Sequence, residues 1–416
     1  MPTTISAREA ALHTVAAVRP GPSLRIPLDD ALGSVLAEEI VSPIDVPFWT
    51  NSAMDGYAAR AIDVAGATAA TPKRLTVVDR VPAGQFPARA IGPGQCTRLF
   101  TGSPIPEGAD SVIRQEDTDL GDPVVLITND RDAGTHLRRA GEDIGRGTRV
   151  FEAGTQLGPA QLGVLASLAV AYPVVYRRPR IAILASGDEI VDIDSPDEIL
   201  AGRRIASSNT HTLMALVKTA GGIPVNLGIA LDNPDSVRSK LALAADCDMV
   251  ITSAGISVGE HDHLRGVIAD MGGSVDFWRL RMRPGAPVGF GSVAGIPWLG
   301  LPGNPVSTMV TFELFGRPAI RRMMGQQRPF RRTIRAQLGE PVRLGPRLQH
   351  FLRVVATGGP LPQVRLTGPQ GSGILTSLAT ATALAIIPEG QFETPAGAEV
   401  DIIRLDEVDH QIDPAF

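Results

Sequence analysis

A multidomain α/β plus β protein, with a parallel-rich sheet in its α/β part, is the fold class this sequence predicts, and three observations lead there. The chain has 416 residues, more than one hydrophobic core usually serves, so two to four domains are expected. From about residue 180 strand-like and helical patterns alternate: RIAILAS, a helix over 208–220, IPVNLGIA, a helix over 234–245, then DMVITSA. Buried strands followed by amphipathic helices make a parallel sheet with crossover helices. Before and after this region, short alternating runs broken by Pro and Gly read as β structure.

Taken in order, Ser6 and Glu9 fit a capping box, and Leu12, Val15 and Ala16 supply a helical apolar stripe. The chain therefore opens with an amphipathic helix, which ends at Arg19-Pro20-Gly21-Pro22. Between about 45 and 138, runs such as RLTVVDRV and PVVLITND describe a small β domain. Leu162, Leu165 and Leu168 place a helix over 160–171. After about 330, the runs RTIRAQL, HFLRVVA, QVRLTG and AEVDIIRL return to alternation and form a compact C-terminal β domain. No repeat of 20 to 50 residues and no low-complexity segment interrupts this order.

Composition excludes several function classes. Hydrophobic content of 44% and charged content of 20% are those of a soluble globular protein. A formal net charge of -5 argues against a general nucleic-acid binder. Of 39 basic residues only Lys73, Lys218 and Lys240 are lysines, a bias toward arginine that matters below. Cys96 and Cys247 are too few and too far apart for a disulfide framework or a zinc site, so buried thiols are expected. The N-terminus has no apolar signal core and no uncharged run reaches the length of a membrane span, which predicts a cytoplasmic protein away from membranes.

Four loops concentrate carboxylates beside glycine: TNSAMDGY (50–57), RRAGEDIGRG (138–147), ASGDEIVD (185–192) and SAGISVGEHDH (253–263). Glycine permits tight turns and close approach of backbone to a ligand. A carboxylate without a nearby base is either solvated or holding a cation. One such loop is ordinary, whereas four suggest a polar site assembled from distant parts of the chain. Two of them, SGDE (186–189) and GISVGEHD (255–262), follow strands of the parallel sheet, where ligands of such sheets bind.

In order and spacing the chain resembles the molybdopterin molybdenumtransferases, the MoeA and gephyrin E-domain family. The resemblance rests on NSAMDGYA (51–58), TGSPIPEGADSVI (101–113), RRAGEDI (138–144), ILASGDEIV (183–191), SSN (207–209), SAGISVGEHD (253–262), GLPGNPVS (300–307) and PQGSG (369–373). It implies a linking domain (1–45 with 139–179), a small β domain (46–138), a MogA-like α/β molybdopterin-binding domain (180–330) and a C-terminal β-barrel (331–416). It also implies an elongated twofold homodimer whose clefts take residues from both chains.

Residue by residue, the resemblance places Asp55 of MDGY, Thr101 of TGS, Asp143 of GED, Glu189 of GDE and Asp262 of SVGEHD in the active site. Read without it, Asp188 and Glu189 belong to a solvated loop after a strand, where acids are common. Asp232 of LDNP is either a substrate contact or the N-cap of the helix after Pro234, the better-attested work of an Asp. Ser257, Asn304, Arg353 and Ser372 match positions lining the same cleft, although Arg353 and Ser372 alone read as strand and turn residues. Arg279, Arg281 and Arg283 alternate in FWRLRMRPGAP, which places them on one face of a strand, either opposing substrate anions or as a solvated edge. Family members show FWK…KPGKP there, so Arg279 and Arg283 replace lysines, and a planar fork does not duplicate a point charge. Ala286 replaces a lysine outright, and Ala254 stands where the family has glycine.

Other patterns are decoys. His261, Asp262 and His263 beside Glu260 imitate a metal cluster, yet neighbours two apart on a helix diverge and no HExxH occurs. Carboxylates instead suit Mg²⁺, which takes one or two of them plus substrate oxygens; Asp262 with Glu189 or Asp55 is the expected site. Gly289-Phe290-Gly291 has the wrong spacing for a dinucleotide fingerprint, and no GxxxxGK[ST] exists. GLPGNPVS reads as a strand, a turn and a helix starting near Pro305, whose amides suit an anion.

The resemblance implies insertion of molybdate into adenylylated molybdopterin with release of AMP and dependence on Mg²⁺. Implied partners are a molybdopterin adenylyltransferase that supplies the substrate and the molybdoenzymes that receive the product. Three rivals stand beside it: a tungstate-inserting variant, a non-catalytic paralogue that carries pterin cofactor or acts as a scaffold, and a general nucleotide hydrolase.

Overall fold

Residues 181–184 show how the α/β part is built. In the strand Arg180–Ser186, Ile181 and Ile183 point to one face and Ala182 and Leu184 to the other, and all four are buried. Period-two alternation with both faces apolar requires helices on both sides of the sheet. Ile181 and Ile183 join a cluster with Leu213, Val217, Val306, Val310 and Phe312. Ala182 and Leu184 join a second cluster with Val237, Leu241, Leu264 and Val267.

The protein is described here from a computed structural model that covers residues 4–255, 263–345 and 347–405. It divides into two units, one formed by Pro27–Leu32 with Glu38–Pro173 and the other by the remaining described residues.

In the larger unit, the six-stranded sheet runs Ile223–Ala230, Arg180–Ser186, Met249–Ser253, Ile296–Leu301, Pro287–Val293, Ser274–Arg279. The first four strands are parallel, and the last two join antiparallel, so the sheet is mixed at one edge. Crossover helices lie at Ser208–Ala220, as expected, and at Pro234–Ala242, three residues shorter than the pattern suggested. Barrel closure in the C-terminal part follows from the strand Gln349–Ala356, which pairs with both Gln363–Leu366 and Ala383–Ile387. Thr333–Leu338 and Glu399–Arg404 complete the five-stranded ring. Its interior holds Leu338, Leu352, Val354, Val364, Ala385 and Ile402.

The N-terminal helix Ala7–Ala17 carries the expected capping box, with Glu9 N–H donating to Ser6 Oγ and Ser6 N–H to Glu9 Oε2 at 2.8 Å. Its buried face is different from the one expected: Ala7, Ala10 and Thr14 turn inward, while Leu12 is 47% exposed and Ala16 is also exposed. Small residues let this helix approach closely the helical segments around Phe315 and Ile320, and close approach outweighed side-chain size. It thus packs into the α/β core rather than with the linking segment.

The second unit contains a five-stranded sheet in the order Ser111–Arg114, Gly56–Ala59, Gln95–Leu99, Lys73–Val81, Val124–Ile127. Gly56 of the MDGY motif is obligatory for packing, because a Cβ there would stand 2.0 Å from the Ile113 carbonyl oxygen. Cys96 is buried in this core, and burial pushes its thiol up to about 12; Cys247, in the other unit, is likewise a free, buried thiol. The helix expected over 160–171 spans Pro159–Ser167, and Ala169 in the left-handed region at φ 58° marks its end. Among the described residues no helix is long and apolar enough to cross a membrane.

One buried ionic knot fixes this unit. Asp132, 2% exposed, accepts two bonds from the Arg114 guanidinium at 2.8 and 3.0 Å and one from His136 Nε2 at 2.9 Å. Burial opposes its ionisation, but these donors win and hold its carboxyl at about 2, below the ordinary value for an aspartate. A carboxyl depressed in the folded state stabilises fully above its ordinary pKa, and the contribution is lost as pH falls from about 4 toward about 2. At 1.36 kcal/mol per unit the knot contributes about 2 kcal/mol. Asp132→Asn is expected to lose about that much in urea unfolding at pH 7, with the difference from wild type shrinking below about pH 3.

Candidate active site

At the carboxyl ends of three parallel strands the chain turns sharply three times. Ser186 leads into Gly187-Asp188-Glu189, Ser253 into Ala254-Gly255, and Leu301 into Pro302-Gly303-Asn304. These turns, with the start of the helix Ser208–Ala220, surround an open cleft of about 490 Å³. Its lining mixes Ser186, Ser207, Ser208, Asn209, Ser253 and Asn304 with small apolar residues, and among the described residues Glu189 is its one charged side chain.

Glu189 reaches this wall because Gly187 lets it. Gly187 sits at φ 142°, and a Cβ there would come within 2.9 Å of three atoms of the Glu189 carboxylate. Ile205 N–H donates to the Glu189 carbonyl at 2.9 Å and so ties the loop to the segment Ile205–Ala206. The carboxylate itself accepts no hydrogen bond among the described residues and is exposed, free to take a cation or a proton.

Asn209 is the residue that sequence reasoning missed. Its Nδ2 donates to Ser253 Oγ at 2.8 Å and to the Gly303 carbonyl at 2.7 Å, bridging two of the three turns. The motif SSN pointed to it, but a helix N-terminus rich in Ser and Asn reads equally well as simple capping. Asp232 lines a smaller neighbouring cavity that shares Ser186 and Gly255 with the main cleft. It does not cap the following helix: Asn233 does, accepting from Ser236 N–H at 2.9 Å, because its position directly before Pro234 has the extended geometry an N-cap needs.

Three expectations about positive groups and anion sites are corrected. The arginines 279, 281 and 283 do not share one strand face, because the strand Ser274–Arg279 ends at the first of them and Met282–Arg283 pairs instead with the barrel strand Gln349–Ala356. Arg279 pairs in register with Pro287, a cleft residue, while Arg281 is occupied by Glu389 and by the Thr4 carbonyl. Arg353 is 1% exposed, with its guanidinium inside the barrel wall donating to Ser377 Oγ and to the carbonyls of Pro369, Gln370 and Gly371. It positions the PQGSG loop. That loop in turn places the Ser372 carbonyl 3.1 Å from the Val306 N–H, which fills one of the amides expected to hold an anion. Asn304 precedes this helix, Pro305–Thr311, without capping it, so its amide is left to the cleft. Ser257 and Asp262 lie outside the described residues, as do Glu260 and His261.

The other unit holds Asp55, Thr101 and Asp143. The segment around Asn51–Ser52 is laced to the TGS turn by Gly102 N–H to Ser52 O at 2.8 Å and Ser52 N–H to Ser103 O at 3.0 Å. This lacing brings the Thr101 N–H and Oγ1 each 2.8 Å from Asp55 Oδ1. The backbone donor first, and the hydroxyl second, hold the Asp55 carboxyl below the usual range. Oδ2 has no donor among the described residues. Asp143 is fixed through its main chain, with N–H donating to the Val46 carbonyl at 3.0 Å and its side chain exposed. Thr101→Val is expected to raise the Asp55 pKa toward the ordinary value, read by carboxyl-carbon NMR titration; an unmoved titration would mean that the backbone donor suffices alone.

Among the described residues no three His, Cys, Asp or Glu side chains gather into a metal cluster. Single carboxylates with free oxygens, as at Asp55 and Glu189, match Mg²⁺, which completes its shell with substrate oxygens and water.

Comparison with known proteins matches the whole architecture. Residues 5–169 match the MoeA N-terminal region (domain I and II), 182–322 a probable molybdopterin binding domain, and 335–405 the MoeA C-terminal region (domain IV). A protein of a Nostoc species named molybdopterin molybdenumtransferase is 36% identical over 394 residues, covering 90% of this chain and 87% of that protein. Molybdopterin molybdenumtransferase 2 of Mycobacterium tuberculosis is 37% identical over 388 residues, covering 92% and 95%. The crystal structure of the molybdopterin biosynthesis moeA protein from Pyrococcus horikoshii superposes with a TM-score of 0.82 at 28% identity, covering 97% of this chain and 100% of that one.

Proposed function

The chain belongs to the MoeA family of molybdopterin molybdenumtransferases, transferases of molybdenum cofactor biosynthesis, and from that premise we propose that it inserts molybdate into adenylylated molybdopterin with release of AMP. The observation that carries the reading is the cleft at the strand ends, where one free carboxylate, Glu189, stands among neutral hydrogen-bonding groups. Such a surface suits a polar, extended ligand read by amides and hydroxyls, with a single acid for cation or proton work.

Glu189 handles protons as oxo groups leave molybdate, passing those released by the two dithiolene thiols to an oxo group that departs as water. Ser186, Ser208, Asn209, Asn304 and Ser372 orient the pterin and its phosphate, and Asp232 reads the substrate from the adjoining cavity. The family resemblance assigns catalytic roles to Asp55, held by Thr101, and to Asp143 and Asp262 as well, and a substrate contact to Ser257. Mg²⁺, held by Glu189, Asp55 or Asp262, neutralises charge on the phosphate link when it is bound. Arg279 and Arg283 attract the anionic substrate to the cleft. The working form is a cytoplasmic homodimer that takes its substrate from a molybdopterin adenylyltransferase and hands its product to molybdoenzymes, without nucleic acid or membrane.

Titrating molybdate into protein, adenylylated molybdopterin and Mg²⁺ tests the reading. AMP release that depends on molybdate and yields active cofactor is the expected result. A second reading, a carrier of pterin cofactor, is favoured by the absence of any Lys or Arg among the described residues lining the cleft; tight molybdopterin binding with no AMP release at any molybdate or tungstate concentration would select it.

A further inference from the structure

Ala254 has a conformation that its side chain opposes. It follows the buried strand Met249–Ser253 at φ 74°, and Gly255 follows it at φ 71°, two successive residues in the left-handed region. Only glycine enters that region without a clash between Cβ and the following carbonyl. Strain of this kind persists where surrounding structure over-determines the backbone, and such positions cluster at ligand clamps.

Here the over-determination is visible. Ala254 N–H donates to the Leu301 carbonyl at 3.1 Å, and Asn209 ties the preceding Ser253 to Gly303 across the same gap. The turn is therefore tied, where it leaves the strand, to the turn after Leu301, which fixes the direction of the methyl. It faces the neighbouring turn so closely that a Cβ on Gly303 would lie 3.3 Å from it. Ala254, Gly255, Gly303 and Asn304 all line the cleft that also holds Glu189.

We infer that Ala254 is a specificity-determining residue whose methyl narrows the cleft between the turns after Ser253 and Leu301, and so weights binding toward the slimmer of two related ligands. The inference rests on the molybdopterin reading above. Since molybdopterin and its adenylylated form differ by a bulky nucleotide, removal of the methyl favours the larger one. One methylene in a pocket wall typically changes discrimination by about tenfold or more.

The test measures equilibrium binding of purified metal-free molybdopterin and of adenylylated molybdopterin to full-length wild type and Ala254→Gly, together with thermal midpoints. Glycine relieves the strained turn, so the variant is expected to fold and to melt higher than wild type. The expected result is that the ratio of the two dissociation constants moves at least threefold toward the adenylylated form. A raised melting point with that ratio unchanged within twofold overturns the inference and leaves Ala254 as strain without selectivity. Wild-type protein that binds neither pterin overturns the molybdopterin reading and this inference with it, an outcome distinct from the last because it appears before any substitution.

Discussion

Glu189→Gln is expected to lower single-turnover AMP release by about two to four orders of magnitude, the usual contribution of a positioned acid or base, while leaving the fold intact. Glutamine keeps the shape that packs against Gly187 and keeps the main-chain carbonyl that accepts from Ile205 N–H. What it removes is the only charge lining the cleft among the described residues. Because the side chain is exposed and accepts no hydrogen bond among the described residues, its loss leaves no buried donor unpaired, and the unfolding midpoint should stay at the wild-type value. The decisive comparison is turnover against binding. A variant that binds adenylylated molybdopterin normally and fails to turn over places Glu189 in the chemical step; undiminished turnover removes it from proton and cation roles alike.

How much of this was legible before the fold was known depends on what each residue answers to. The alternation at 181–184 and the amphipathic pattern at 208–220 are local and strong, and they gave the sheet and its first crossover helix correctly. Helix ends at Ala242 and Ser167 were misjudged because apolar residues continue past them, and a left-handed residue at Ala169 carries no signal when it is not glycine. The face of the N-terminal helix was misread because Leu12 looks more apolar than Ala10, whereas close packing chose the alanines. Acids in glycine-rich turns pointed to Glu189, which lines the cleft, and to Asp55, which Thr101 holds in the other unit, yet nothing in the alternation of 279, 281 and 283 showed that the strand ends between them. Asn209 and Arg353 answer to partners far away in sequence, Gly303 for the first and the loop at 369–371 for the second. Pattern reading along the chain has no access to such pairs.

Arg353 gives the largest stability effect. It is a cation buried to 1% exposure without a carboxylate in ion-pairing range among the described residues, and burial draws its pKa down from the usual value. Carbonyl dipoles replace the missing counter-ion: Nη1 donates to Gln370 O at 3.2 Å, Nη2 to Pro369 O and Gly371 O at 3.1 Å each, and Nε to Ser377 Oγ at 2.8 Å. Arg353→Ala removes these four hydrogen bonds and opens a void in the barrel wall. A hydrogen bond to a charged group contributes about 1.5–3 kcal/mol, so a loss of about 3 kcal/mol or more is expected in urea unfolding. Arg353→Lys should recover little, since a point charge with three donors cannot match a planar fork that reaches four acceptors. The damage also has a direction. The loop that Arg353 holds ends at Ser372, whose carbonyl bonds the Val306 N–H at the start of the helix behind Asn304. A loosened loop therefore reaches the cleft, and molybdopterin affinity should fall in both variants even at temperatures where they remain folded. An Arg353→Lys protein with wild-type stability and affinity would show that the carbonyl cage tolerates any cation, and the fork geometry would then carry no weight.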